Sequence, residues 1–72
     1  MNQYDEIVEI CKIHGSISPM EAFPNGITKL ATRISEMTRY KGYEFDREMQ
    51  TTTNRHGKTV QYMRYWLRVE PK

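Results

Sequence analysis

The period of the apolar residues changes once along this chain, at Gly42, and this change restricts the fold more than any other feature. Before Gly42, apolar residues recur every three or four positions, as they do on one face of a helix. After it they alternate with polar residues, as they do on a strand. No repeat or linker separates the two parts. The pattern predicts one α+β domain over residues 1–72, with helices first and a hairpin last.

The first helix is expected at about residues 3–14. Asn2 is available as its N-cap, and Gly15 is a natural C-terminal stop. Acidic residues in the first turns suit the positive end of the helix dipole. The expected apolar face consists of Tyr4, Ile7, Ile10, Cys11 and His14.

The second helix has the sharpest start signal in the chain. Ser18 is an N-cap, Pro19 occupies the first helical position, and Glu21 completes a capping box three residues after the serine. Pro24 disfavours helix at the residue before it. We therefore expect a short helix at about residues 19–23.

The third helix is expected to be the longest, at about residues 27–40. The Asn25-Gly26 turn precedes it and Gly42 stops it. Its predicted apolar stripe is Ile27, Leu30, Ala31, Ile34, Met37 and Thr38. At about 100° per residue, the opposite face holds Thr28, Lys29, Thr32, Glu36 and Arg39, with Arg33 and Tyr40 on the flank.

Two strands of a hairpin are expected within about residues 43–69, on either side of a turn-rich segment at 52–58. The tip of this hairpin holds Arg55, His56 and Lys58 beside Gly57. Basic side chains on an exposed tip can bind phosphates, and they are also common as protection for a sheet edge.

One face of the second strand has two interpretations. It combines Tyr62 and Trp66 with Arg64 and Arg68. Cations beside aromatic rings can form a surface for a partner. The rings can also pack on the helices beneath the aliphatic stems of the arginines. The sequence leaves both interpretations open.

The charges are unevenly distributed, although the formal net charge is only +2. Through Ala22 there is one lysine against four carboxylates, from Phe23 to Gly42 there are four cations against one carboxylate, and the remainder has six cations against four. A basic segment over helix three suits a nucleic-acid partner, and an ordinary solvated helix face produces the same pattern.

A short helix, a glycine-containing turn and a longer amphipathic helix form a helix-turn-helix arrangement over residues 18–40. The second helix of this motif buries one stripe and presents the other to the DNA major groove, which is about 12 Å wide. We therefore expect duplex DNA as the partner, with the hairpin as a wing. The predicted DNA contacts are Thr28, Lys29, Thr32, Arg33, Glu36, Arg39, Arg55, His56 and Lys58.

Glu36 is the exception on this largely basic face. Its carboxylate could accept a hydrogen bond from a cytosine amino group. An ion pair with Lys29, Arg33 or Arg39 on its own helix is the favoured alternative.

The chain resembles a family of small helix-turn-helix proteins encoded by phages and prophages. The resemblance covers most of the chain, and its most specific parts are Ser18-Pro19-Met20-Glu21-Ala22 and the run from Ile27 to Met37, with Arg33 at the family's arginine position. It implies a winged-helix fold and DNA binding as a transcriptional regulator or excisionase-like factor in the host bacterial cytoplasm. The chain departs from the family pattern in the turn, where Phe23-Pro24-Asn25 is inserted, and in a longer wing.

An enzyme is not expected, and neither is a cofactor or a metal. Cys11 is the single cysteine, His14 and His56 are far apart in sequence, and no nucleophile motif or phosphate-binding glycine loop is present. Cys11 is expected to be a small buried residue. One cysteine and no apolar run of about 18 residues indicate a cytoplasmic protein without a membrane partner.

The alternative function is a protein-binding module. A winged-helix scaffold can cover a host protein instead of a DNA groove, because fold alone does not decide function. The acidic first helix would be its surface. A homodimer is compatible with two-fold operators, which are common for this motif, although no heptad pattern marks a dimer helix.

Overall fold

The structure is a computed structural model that describes residues 3–71, so the expected N-cap Asn2 lies outside the described residues. Three helices precede a two-stranded antiparallel sheet, which confirms the predicted α+β winged helix-turn-helix class. The elements are α1 (Gln3–His14), α2 (Pro19–Ala22), α3 (Leu30–Glu36), β1 (Glu44–Thr53) and β2 (Thr59–Val69).

The local signals of the first two helices are present in the structure. Gly15 follows α1 with a φ of 84°, a left-handed conformation that glycine adopts without a Cβ clash. At α2, the backbone N–H of Ser18 donates to Glu21 Oε1 at 3.0 Å, and the N–H of Met20 donates to Ser18 Oγ at 3.2 Å. The predicted capping box is therefore confirmed. After Ala22 the chain tightens into a 3₁₀ turn, Phe23–Asn25.

The third helix begins at Leu30, three residues later than predicted. The N–H of Ile27 donates to the carbonyl of Ala22 at 3.0 Å, and the Ile27 side chain is buried. Lys29 has a φ of −126° and a ψ of 61°, which are not helical values. Ile27 is thus an anchor that closes the turn, and Thr28 and Lys29 precede the helix instead of forming its first turn.

The buried stripe of α3 is narrower than predicted. Leu30, Ile34 and Met37 are buried, whereas Ala31 and Thr38 are exposed. At about 100° per residue, Ala31 and Thr38 lie roughly a quarter of a turn from the centre of the stripe, and α1 and the sheet do not cover them. The helix widens into a π turn, Met37–Lys41, and Gly42 ends it at a φ of 80°, as predicted.

The sheet pairs β1 with β2, for example Gln50 with Tyr62. Ile17, between α1 and α2, adds a bridge to Tyr65, in which each backbone N–H donates to the other residue's carbonyl at 2.8 Å. β1 extends to Thr53, so the turn is shorter than the predicted 52–58 and occupies residues 54–58. The ladder persists to the Thr53 and Thr59 pair.

One core holds the helices against the base of the sheet. It takes Tyr65 from β2, with Met63, Leu67 and Phe45 packed beside it, so the opposite strand face is not the core. Along α1, Val8 is buried and His14 is exposed, in contrast to the predicted apolar face. The buried cluster consists of Ile7, Val8, Ile10, Cys11, Ile17, Ala22, Ile27, Leu30, Ile34, Met37 and Tyr65.

Candidate nucleic-acid interface

The outward surface of α3 carries a shallow groove. Thr32, Glu36 and Arg39, three of the predicted DNA contacts, line it together with Ser35 and Tyr40. Arg39 lies in the π turn, and its guanidinium carbon is 5.9 Å from the centre of the Tyr40 ring. These side chains share one face because they lie on the side of the helix opposite the buried Leu30 and Ile34.

Thr28 and Lys29 are exposed immediately before α3. They line a second groove, between α2 and the start of α3, whose wall includes Phe23. The two grooves share Ala31 and Thr32, so they form one continuous surface along the start and the outward side of α3. Thr28 and Lys29 thus remain part of the predicted contact surface, although they precede the helix.

Arg33 and Glu36 are held by contacts with each other and with α1. Arg33 Nε donates to Gln3 Oε1 at 2.9 Å, and Arg33 Nη1 donates to Glu36 Oε1 at 2.8 Å. The hydroxyl of Tyr4 donates to the same Glu36 oxygen at 2.9 Å. Glu36 is thus tied to α1 while it also lines the outward groove, and its favoured ion pair is confirmed with Arg33 as the partner.

The electrostatics of this contact follow from its hydrogen bonds. The hydrogen bond from Arg33 is the largest cause that lowers the pKa of Glu36, and the hydrogen bond from Tyr4 adds to it. The same contact with Glu36 raises the pKa of Tyr4. Glu36 is thus an internal counterion for Arg33, and its carboxylate already accepts hydrogen bonds from Arg33 and Tyr4.

The wing tip presents Arg55, His56 and Lys58 to solvent. Asn54 organises this turn, because its Oδ1 accepts from the N–H of His56 at 2.9 Å and from the N–H of Lys58 at 3.1 Å. Gly57 supplies the left-handed residue with a φ of 77°. The role of Asn54 was missed by sequence reasoning, although an asparagine two residues before a backbone donor is a known turn signal.

Arg64 links the wing to the start of α2, which no local pattern in the sequence indicated. Its Nη1 donates to Glu21 Oε1 at 2.7 Å and to Ser16 Oγ at 2.8 Å, and its Nε donates to Gln50 Oε1 at 2.9 Å. On the strand face with two interpretations, Arg64 is thus half-buried and holds the wing against the start of α2. Arg68 on the same face is exposed and pairs with Asp46 at 3.4 Å.

Phe23 is a further exposed side chain beside the predicted DNA contacts, and sequence reasoning considered it only as the end of helix two. Its ring is 70% exposed in the 3₁₀ turn before α3. An aromatic residue placed before proline in a short turn was the available signal, since such a turn has little room to bury a ring.

The remaining features that bear on function are Cys11, possible metal ligands and possible membrane-spanning helices. Cys11 is buried as predicted, and burial raises the pKa of its thiol to about 11. Within residues 3–71, no group of three or more His, Cys, Asp and Glu side chains could hold a metal ion. None of the helices in that range is long and apolar enough to span a membrane.

The sequence comparisons agree with the geometry of the helices and the wing. A family model described as a winged helix-turn-helix domain matches residues 2–70, which is nearly the whole chain. Searches of curated proteins and of solved structures find no significant match. The order of helices, the exposed outward side of α3 and the hairpin that follows it are the features of this fold. The chain belongs to the winged helix-turn-helix domain family.

Proposed function

We propose that this domain binds duplex DNA through the outward side of α3 and the wing tip. In this proposal it acts sequence-specifically, as a transcriptional regulator or excisionase-like factor of the phage and prophage type, in the bacterial cytoplasm. The observation that supports it best is the continuous exposed surface along α3, with Lys29 at one end and Arg39 at the other.

The charges on this surface favour an anionic partner. Among the described residues, Lys29, Arg39, Arg55 and Lys58 form no salt bridge with a carboxylate. The one carboxylate between Phe23 and Gly42 belongs to Glu36, which is paired with Arg33. The cations of α3 and the wing are therefore available to phosphate oxygens.

The proposal assigns a role to each group of side chains. Lys29 and Arg39 bind phosphates or guanine edges, while Thr28 and Thr32 bind phosphates or contact thymine methyl groups. Arg55, His56 and Lys58 bind phosphates from the wing. Arg33 and Glu36 support the α3 surface from the side of α1, and a base contact by either would require it to leave its present partners.

The direct test is a fluorescence anisotropy titration of a labelled duplex at several salt concentrations. Affinity should fall steeply with salt, because each phosphate neutralised by the protein releases counterions, and the logarithmic slope changes by about 0.9 per phosphate. The double variant Lys29→Ala/Arg39→Ala should weaken binding and reduce the slope by about 0.9 for each of the two side chains that binds a phosphate, which is about 1.8 if both do. Its melting temperature should stay near that of the wild type, since both side chains are exposed.

Lys12→Ala/Lys41→Ala is the control for net charge, because both lysines are exposed and are outside the proposed contacts. Lys12 also pairs with Glu70 at 3.1 Å, so the melting temperature of this variant is compared with that of the wild type. It should leave the salt slope close to that of the wild type. Equal losses in the two double variants would mean that net charge, and not the α3 surface, drives binding. No duplex binding at about 50 mM salt, where charge attraction is strong, would overturn the proposal and favour a protein partner.

Selection of bound duplexes from a random pool tests the finer proposal of a sequence-specific regulator. A defined site should emerge from the pool, and a site with two-fold symmetry would support a homodimer. Recovery of unrelated sequences at equal affinity would contradict sequence-specific binding, while binding to duplex would stand.

A further inference from the structure

An apolar surface lies where α2 meets the start of α3. It consists of Phe23, Thr28, Ala31 and Thr32, which line one groove, and we call it the methyl-contact patch. The buried side chains of Ile27 and Leu30 lie beneath it. The patch is therefore a fixed feature of the helix-turn-helix surface.

The backbone holds Phe23 in its exposed position. The N–H of Phe23 donates to the carbonyl of Pro19, and its own carbonyl accepts from the N–H of Gly26 at 3.0 Å. Ile27 is buried directly after this turn. A chain of only 72 residues has little apolar surface to bury, so an exposed aromatic ring leaves a large part of its hydrophobic stabilisation unused. An occupant that covers the ring would recover that burial.

The patch combines an apolar surface with one cation at its rim, and this combination favours a methyl-bearing base edge next to a phosphate. Among the described residues that line this groove, Lys29 is the one charged side chain. A cation at the rim suits a phosphate, and the apolar part of the major groove is the C5-methyl group of thymine. Alanine, the methyl group of threonine and phenylalanine are the side chains that contact this group.

We propose that the methyl-contact patch recognises the C5-methyl group of thymine in the major groove, with Phe23 as its principal contact. This inference rests on the proposed function, since it needs α3 to lie in the groove of a duplex. Apolar contact between the patch and the thymine methyl group would then select the base at the start of α3. Arg33, one of the predicted DNA contacts, is instead bound to Gln3 and Glu36.

Four duplexes of equal length test this inference by anisotropy at one low salt concentration. One alternates dA and dT, the second has deoxyuridine in place of thymidine, the third alternates dG and dC, and the fourth has 5-methylcytosine in place of cytosine. Removal of the methyl group should weaken binding by about fourfold for each methyl contacted, and its addition to the G·C duplex should strengthen binding by a similar factor.

Phe23→Ala should reduce both methyl effects and leave residual binding to all four duplexes. Ile13→Ala is the matched control, because Ile13 is 67% exposed on α1, and it should retain both effects. Thr32→Ser removes one methyl group and keeps the hydroxyl, so it tests the patch without changing the turn. It should reduce the methyl effects even if Phe23→Ala fails to fold.

The outcomes separate the two proposals. Equal wild-type binding to all four duplexes overturns recognition of the methyl group and leaves DNA binding intact. Methyl effects that persist in both Phe23→Ala and Thr32→Ser also overturn it, because another surface would then be responsible. No binding to any duplex overturns the proposed function itself.

Discussion

Single side chains join α1 to α3 on the flank of the proposed interface. Glu36 accepts hydrogen bonds from Arg33 on its own helix and from Tyr4 on α1. These contacts replace water around the Glu36 carboxylate, which is about one-third exposed. Their contribution to the free energy of unfolding therefore depends on the charge of Glu36. This contact therefore contributes to stability and neutralises the carboxylate that lines the outward groove of α3.

This arrangement predicts a pH-dependent contribution to stability. The folded-state pKa of Glu36 is lowered, so its stabilising effect should be present above the ordinary pKa of glutamate, about 4.3, and lost as the pH falls through the lower folded value. Glu36→Gln should therefore lower the melting temperature at pH 7, with a difference from the wild type that shrinks below about pH 4. Thermal melts between pH 7 and pH 3 measure this.

Tyr4→Phe is the control for the Glu36 variant. It removes one hydrogen bond to the carboxylate and keeps the ion pair with Arg33, so the loss at pH 7 should be smaller. A difference between Glu36→Gln and the wild type that is constant across the pH range would contradict a role for the charge.

Among the elements, the wing and α2 are connected by one arginine. Arg64 on β2 reaches Glu21 and Ser16, and Glu21 is also the capping-box residue of α2. One carboxylate therefore caps a helix and anchors a strand. The backbone bridge between Ile17 and Tyr65 lies beside it and fixes the same junction. This junction sets the direction in which the wing leaves the core.

The Arg64 junction should have a measurable coupling energy. The two side chains are 20% and 26% exposed, so their ion pair lies between an exposed pair, worth about 0–1 kcal/mol, and a buried pair, whose disruption costs about 3–5 kcal/mol. We expect a coupling of about 1–3 kcal/mol. Urea unfolding of Arg64→Met, Glu21→Gln and the double variant gives this value.

The exposed pair Arg68 and Asp46 provides the comparison on the same strand face. Both side chains are 60% exposed, and the cycle of Arg68→Met with Asp46→Asn should give a coupling within about 0.5 kcal/mol of zero. Similar coupling energies for the two pairs would mean that the Arg64 junction is not a special support of the wing.

The whole molecule is elongated, with extents of 43 × 23 × 21 Å, and its buried cluster lies at the helical end. None of the residues 51–61 belongs to that cluster. The distal wing therefore contributes little to the core, and it holds three of the proposed phosphate contacts, Arg55, His56 and Lys58.

A shortened wing tests this division of roles. Replacement of residues 51–61 by Asn-Gly, joining Gln50 to its partner Tyr62, should change the free energy of unfolding by less than about 1 kcal/mol. The loss of two cations should reduce the salt slope of duplex binding by about 1.8. Chemical denaturation and anisotropy measure the two quantities.

The full-length variant Arg55→Gln/Lys58→Gln separates charge from length. It should give the same reduction in slope as the shortened wing. A large loss of stability in the shortened protein would show that the distal strands support the core, and an unchanged slope would show that the tip contacts no phosphates.

Much of the architecture was predictable because it rests on contacts between residues close in sequence. The capping box joins Ser18 to Glu21, three residues apart, and Gly42 ends α3 because it adopts a left-handed conformation. The change of period at Gly42 requires only that one face of each element be buried. Such signals lie within a few residues of the structure that they specify.

The remaining features depend on partners that are distant in sequence. Ile27 leaves the helical pattern because the core and the Ala22 carbonyl hold it, and Glu36 is tied to α1 because the Tyr4 hydroxyl donates to its carboxylate. Arg64 becomes a support only where the fold brings Glu21 to its strand. No local pattern contains these pairings, since 32 residues separate Tyr4 from Glu36 and 43 separate Glu21 from Arg64. Local sequence thus specified the elements, whereas tertiary packing decided which polar side chains of α3 and β2 remain available to a partner.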